Sequence, residues 1–265
     1  MGAALCYGGG MSAGRTARER VRAELIREIT EIARRHLATE GAAGLSLRAV
    51  AREMGMVSSA IYRYFPSRDD LLTALIIDGY NAVGEAVEKA DARFTSDGGF
   101  VSDGAPEGDF TGRWLAVCRA VREWALAHPH EYALLYGSPV PGYKAPDDTV
   151  PAAARDTAVL ARIITEAYEA GAVEPAGPAP AATAPAATAP APPPSIAGDL
   201  GRVRAAVSMN VPDDVIARGL TAWAGMYGTV SFELFGQFNN VVIDDRAAYF
   251  DHSMTLLARL AGLKP

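Results

Sequence analysis

Residues 45–72 read LSLRAVAREMGMVSSAIYRYFPSRDDLL, and their spacing decides the fold class. Leu47, Val50, Ala51 and Met54 recur at helical intervals along one side of a short helix, and Gly55 then lets the backbone reverse. A second short helix is expected over 58–65, where Ile61 and Phe65, four apart, pack on the first. That packing turns Ser58, Ser59, Tyr62 and Arg63 outward. Hydroxyls, a phenol and a guanidinium on one outward face suit base edges in a major groove. Two short helices joined through a glycine make a helix-turn-helix.

Upstream, 19–40 is expected to form one long amphipathic helix with Leu25, Ile29, Ile32, Ala33 and Leu37 on its apolar stripe, stopped by Gly41 and Gly44. Downstream come Tyr62-Arg63-Tyr64-Phe65, Ser67-Arg68 and Asp69-Asp70-Leu71. With these elements in order, the stretch resembles the DNA-binding domain of the tetracycline-repressor (TetR) family of bacterial regulators. It departs from that pattern at Val57, where a capping Ser is usual, and at Ser59, where Gly is frequent; Ser58 is the alternative cap. The resemblance implies that Ser58, Ser59, Tyr62 and Arg63 lie near bases. Ser46, Arg48, Tyr64 and Arg68 complete the expected DNA-binding set, with Arg48, Tyr64 and Arg68 near phosphates.

Net charge supports this placement once the chain is divided. The whole carries −6, yet residues 1–68 hold 11 Arg against six acidic residues, and the remaining 197 carry −11. A basic head on an acidic body orients itself on a polyanion. The composition, 49% hydrophobic and 21% charged, is that of an ordinary soluble protein. Cys6 and Cys118 lie far apart, so a reducing compartment is expected and a disulfide framework is not. No apolar run reaches the ~20 residues that span a bilayer, and residues 1–10 lack the features of a secretory signal. A cytoplasmic location is expected. Gly10-Met11-Ser12-Ala13-Gly14 matches a nucleophile-elbow string, and Gly8, Gly10 and Ala13 a dinucleotide string, but neither follows a strand.

The pattern predicts an all-α chain: a disordered tail over 1–16, the helix-turn-helix domain over 17–67, and a helical regulatory and dimerisation domain over 68–265. Helices are expected at 68–94, 110–128, 130–136, 152–170, 212–238 and 246–260. Residues 174–198 are dominated by Ala and Pro, which bury little area and remove backbone donors, and are expected to form a disordered or polyproline-like surface loop.

WALAHPHEYALLYGSPVPGY at 124–143 and TAWAGMYGTVSFELFG at 221–236 resemble the WHG type of C-terminal domain of some TetR-family regulators. That resemblance implies dimerisation and a small-molecule effector. Trp114, Trp124, Tyr132, Tyr136, Trp223 and Tyr227 are the candidate ligand-binding set, since aromatics with a polar handle can line an apolar cavity. The same residues equally suit a packed core. Phe232, Phe235, Leu256, Leu257 and Leu260 are the candidate dimer interface. Glu233 is either the partner of a buried arginine or a rim residue of that interface. His128 and His130 flank Pro129 without a shared helical face, so no metal is expected, nor any cofactor. His128 instead suits a helix C-terminus.

The expected function is a homodimeric transcriptional repressor on an inverted-repeat operator in double-stranded DNA, released by a small, mainly apolar effector. The rivals are a constitutive or activating regulator without an effector, and a helical enzyme using the aromatic cavity. No nucleophile-base or metal-ligand spacing supports the enzyme.

Overall fold

The computed structural model describes residues 10–95, 108–174 and 191–264, and among these every extended element is helical. Sequence expectations on residues 1–9, 96–107 and 175–190, which include most of the Ala/Pro segment, lie outside the described residues.

Helix α1 (Gly10–Gly44) is broken at Gly41, whose φ of 68° places it in the left-handed region that glycine tolerates. Ile29, Ile32, Ala33 and Leu37 are buried along its stripe. α2 (Leu47–Glu53) buries Leu47, Val50 and Ala51. Gly55, at φ 67°, turns the chain into α3 (Ser58–Ile61), a single turn where a longer helix over 58–65 was expected. Its backbone continues as turns, with Tyr64 N–H donating to the Ile61 carbonyl, and Phe65 remains buried. Ser67 caps the next helix: its hydroxyl accepts from the Asp70 amide at 3.2 Å and donates to the Asp70 carboxylate at 2.6 Å. That helix, α4 (Arg68–Thr95), places Asp69 and Asp70 in its first turn, where the dipole favours negative charge.

The chain divides into two compact units, and the division falls inside α4. The first unit holds the described part of 1–76 together with Ser138–Ala145, whose Tyr143 hydroxyl lies 2.9 Å from the Thr73 hydroxyl. This loop falls within the span 68–265 expected to form the regulatory domain.

The second unit contains α5 (Phe110–Ala127), α6 (Pro129–Tyr136), α7 (Val150–Ala153), α8 (Arg155–Glu169), α9 (Ala197–Ala206), α10 (Asp213–Leu234) and α11 (Arg246–Ala261). Trp114, Val117, Cys118, Val121, Ile163, Ile216, Met226, Phe250 and Met254 form its core. Three expectations are corrected. The helix expected at 152–170 is two helices meeting at Ala154; just past that bend, Arg155 bonds Glu88 at 2.9 and 2.6 Å. The helix expected to reach 238 ends at Leu234, because Gly236 turns at φ 85°. Residues 197–206, overlapping the expected loop, are helical: Leu200, Val203 and Val207 keep 3.6 spacing and pack on the core. The chain end is tied down by Glu174 N–H donating to the Gly262 carbonyl and Lys264 N–H donating to the Ala172 carbonyl.

Candidate DNA interface and apolar pocket

The outward face of the helix-turn-helix has the composition read from the sequence. Ser58, Ser59, Tyr62 and Arg63 are all exposed, Tyr62 at 42%, while Ile61 is fully buried beneath them. Val57, not Ser58, occupies the N-cap and makes no side-chain cap bond. Val57 is 73% exposed, an apolar surface of the kind that can meet a thymine methyl, which its reading as a missing cap does not reveal. Arg48 and Arg63 are exposed and pair with no carboxylate among the described residues. Ser46 is half-buried at the N-cap of α2, again without a side-chain cap bond.

Two arginines do something other than sequence alone suggested. Arg68 was expected on a phosphate, but its guanidinium donates to the carbonyls of Ala42 at 2.6 Å, Leu45 at 3.2 Å and Ala43 at 3.3 Å. It satisfies backbone acceptors left open where α1 ends, which is a structural role. Arg22, not singled out in the sequence, donates to the Arg63 carbonyl at 3.2 Å and stacks its guanidinium over the Tyr64 ring at 5.3 Å. Arg35 and His36 reach Glu53 at 2.7 and 2.6 Å and tie α2 to α1; these bonds, Arg35 first, hold the Glu53 carboxyl below its usual range.

In the second unit the aromatic set separates. Trp114 is fully buried, its indole N–H donating to the Met254 carbonyl at 3.1 Å, and Tyr132 is fully buried with its hydroxyl on the Tyr227 carbonyl and Ser231. Both are core, and burial pushes the Tyr132 phenol up to about 12. Trp124 stacks on His128, whose Nδ1 sits 3.0 Å from the Trp124 carbonyl at the end of α5. Tyr136 and Tyr227 share a bond of 3.1 Å between hydroxyls, and Tyr227 donates to the carboxylate of Asp156. Asp156 is buried and meets no cation among the described residues, and burial raises its carboxyl above the ordinary range.

An apolar pocket lies beside this cluster rather than inside it. A space of about 40 Å³ opens between α8, α9 and α10, with an almost wholly apolar wall that includes Leu160, Ala161, Val203, Met209, Ile216 and Trp223. Of the six candidate ligand residues only Trp223 lines it. The buried indole N–H of Trp223 has no hydrogen-bond partner. Most of the wall is aliphatic, and part comes from α9, which had no counterpart in the sequence reading.

The family profile "Bacterial regulatory proteins, tetR family" matches residues 29–75, and "Tetracyclin repressor-like, C-terminal domain" matches residues 114–257, more than half of the chain. The chain belongs to the TetR family. It is 37% identical over 243 residues to the HTH-type transcriptional regulators Rv1816 of Mycobacterium tuberculosis and Mb1846 of Mycobacterium bovis, covering 92% of this chain and 93% of each relative. The crystal structure of the regulatory protein SCO4313 superposes with a TM-score of 0.67 at 32% identity, covering 90% of this chain and 97% of that one. A TetR-family protein from Rhodococcus RHA1 shares the fold at a TM-score of 0.56 and 17% identity, covering 91% and 98%.

This TetR-family chain is therefore a transcriptional regulator with a DNA-binding helix-turn-helix, and not an enzyme. Among its described residues no group of three or more His, Cys, Asp or Glu is placed to hold a metal. No helix among them is long and apolar enough to cross a membrane. The expected dimer residues fall on two sides of the α10–α11 seam. Phe232 (52%), Leu256 (50%), Phe235 and Leu260 are exposed, but Leu257 is half-buried and packs against Gly225, where an added Cβ would sit 2.8 Å from the Leu257 side chain. Glu233 is itself buried, and the half-buried Arg122 grips it with two bonds of 2.7 Å.

Proposed function

We propose that this regulator represses transcription as a homodimer on an inverted repeat and leaves its operator when a small, mainly apolar effector binds against Trp223. The observation that carries the effector is the apolar cavity between α8, α9 and α10, which Trp223 helps to line. Apolar lining supplies affinity, and the Trp223 ring offers an aromatic edge to the effector. At about 40 Å³ the space holds only a few atoms, whereas drug-sized ligands occupy roughly 300 to 1,000 Å³. An effector larger than this extends out through the open side of the pocket or displaces part of the wall. The ten-residue α9 is the element suited to yield, since it buries only Leu200 fully and is held to the start of α10 through Arg204, which bonds Asp213 at 2.6 Å and the Val211 carbonyl at 3.1 Å.

Homodimerisation is supported by the exposed Phe232, Leu256 and Leu260, which are more apolar side chain than two helices ordinarily leave in water. Two heads then meet half-sites about 34 Å apart, and an effector that favours a different spacing lowers affinity by its differential binding to the two states. A coupling of about 1 to 3 kcal/mol suffices for a 5-fold to 150-fold change.

The fully buried Trp114 and Tyr132 favour a second reading, a regulator without an effector. Ala161→Leu, which fills the cavity, separates the two. Compounds that raise the Tm of the protein are titrated into its complex with operator DNA while tryptophan fluorescence is recorded. Release at half-maximal concentrations at least roughly tenfold higher in Ala161→Leu, with basal DNA affinity retained, is expected. Release unchanged in both Ala161→Leu and Trp223→Phe would remove this cavity from the mechanism.

A further inference from the structure

We propose that the exposed N-terminal stretch of α1 is a second DNA-contacting element, a phosphate clamp in which Arg18 extends the reach of the helix-turn-helix along the duplex. This rests on the DNA-binding reading of 58–63 and adds a contact outside the matched DNA-binding region, which begins at residue 29.

Residues 16–24 of α1 are exposed without interruption, and the first fully buried side chain is Ile29. Isolated helical segments are marginal in water, and this stretch gains little from burial in the first unit. What it presents is charge: Arg18, Arg20 and Arg22 against Glu19 and Glu24. Arg22 fixes its position. With its guanidinium on the Arg63 carbonyl and over the Tyr64 ring, the exposed helix passes directly beside the end of the base-facing segment.

Arg18 lies one turn before Arg22, on the same face and about 6 Å along the axis. It is exposed and pairs with no carboxylate among the described residues, whereas Arg20, on another face, folds back onto the Thr16 carbonyl. A guanidinium one turn beyond the edge of a groove-reading element is placed for the phosphate strand that bounds the groove. Its planar fork can hold two phosphate oxygens at once. A merely solvated arginine would release no counterion on binding, and that difference is measurable.

The full chain is titrated against a mixed-sequence duplex of about 30 base pairs between roughly 50 and 200 mM NaCl, since the electrostatic part of binding is independent of sequence. Arg18→Gln is expected to make the plot of log affinity against log salt shallower by about 0.9 per bound head, and to weaken binding roughly 8-fold per head near 0.1 M salt. Arg18→Lys should restore most of the slope. Thermal melting of Arg18→Gln should match the parent, because the side chain is exposed. Coincident slopes for Arg18→Gln and the parent, with Arg63→Ala still weakening binding, would overturn the clamp and leave the helix-turn-helix reading standing. A parent protein that binds no duplex would overturn both.

Discussion

Arg68→Ala tests whether this arginine serves the fold or the nucleic acid. The guanidinium makes three bonds to the carbonyls of Ala42, Ala43 and Leu45, of which the one to Ala42, at 2.6 Å, is short. A hydrogen bond from a charged donor contributes about 1.5 to 3 kcal/mol when buried, but this side chain is 30% exposed and water can replace part of what is lost. Its contact with Asp69 at 3.6 Å lies at the surface and adds little. A total near 2 kcal/mol is reasonable, equal to about a 30-fold increase in the open population of the first unit. Native-state hydrogen exchange at the amides of Leu71, Leu72 and Leu75 should show that increase, while the salt dependence of DNA binding by the folded fraction keeps its slope. Arg68→Lys should recover part of the stability, since an ammonium can reach one carbonyl but cannot bridge all three. Unchanged exchange together with a slope shallower by about one phosphate per head would refute this assignment and return Arg68 to the DNA.

Asp156 gives the second unit a pH dependence whose sign follows from burial. Its carboxyl is raised above 3.8, so the folded state holds the proton to higher pH than the unfolded chain; the stability is complete below the unfolded value and declines as pH rises through the folded value. Asp156→Asn still accepts from Tyr227, and the difference in Tm between variant and parent should widen in the variant's favour across that window; a constant difference would contradict the argument. For the dimer, Phe232→Glu and Leu256→Glu place charge on exposed apolar positions and should yield monomers with weakened operator binding. Sedimentation showing the parent to be monomeric at micromolar concentration would dispose of the interface.

Much of the first unit was legible because short-range rules dominate there. Leu47, Val50, Ala51, Ile61 and Phe65 carry their burial in their spacing, and the same spacing leaves Ser58, Ser59, Tyr62 and Arg63 outside. Periodicity also located α4, α5, α6 and α11, while end points such as Leu234 depended on a turn whose strength a nearby Gly does not reveal. Among the aromatics, sequence could state what Trp114 and Trp223 are able to do but not which neighbours each finds. Trp114 found the Met254 carbonyl, 140 positions away, and closed into core; Trp223 found no acceptor and stands at a cavity.

The amino-acid sequence by itself determined the helical class, the outward-facing residues of 58–63 and the concentration of positive charge in the head, since these follow from 3.6-residue periodicity and composition along neighbouring positions. The tertiary structure alone decided that Arg68 holds backbone carbonyls, that Arg22 buttresses Tyr64, that Arg122 pairs with Glu233, and that the cavity beside Trp223 is walled mainly by α8 and α10 rather than by the tyrosines. Each of these depends on where a long or polar side chain meets a partner from a distant segment. A long, rotatable side chain reaches many partners from one position, so its choice is made by packing that local pattern does not encode.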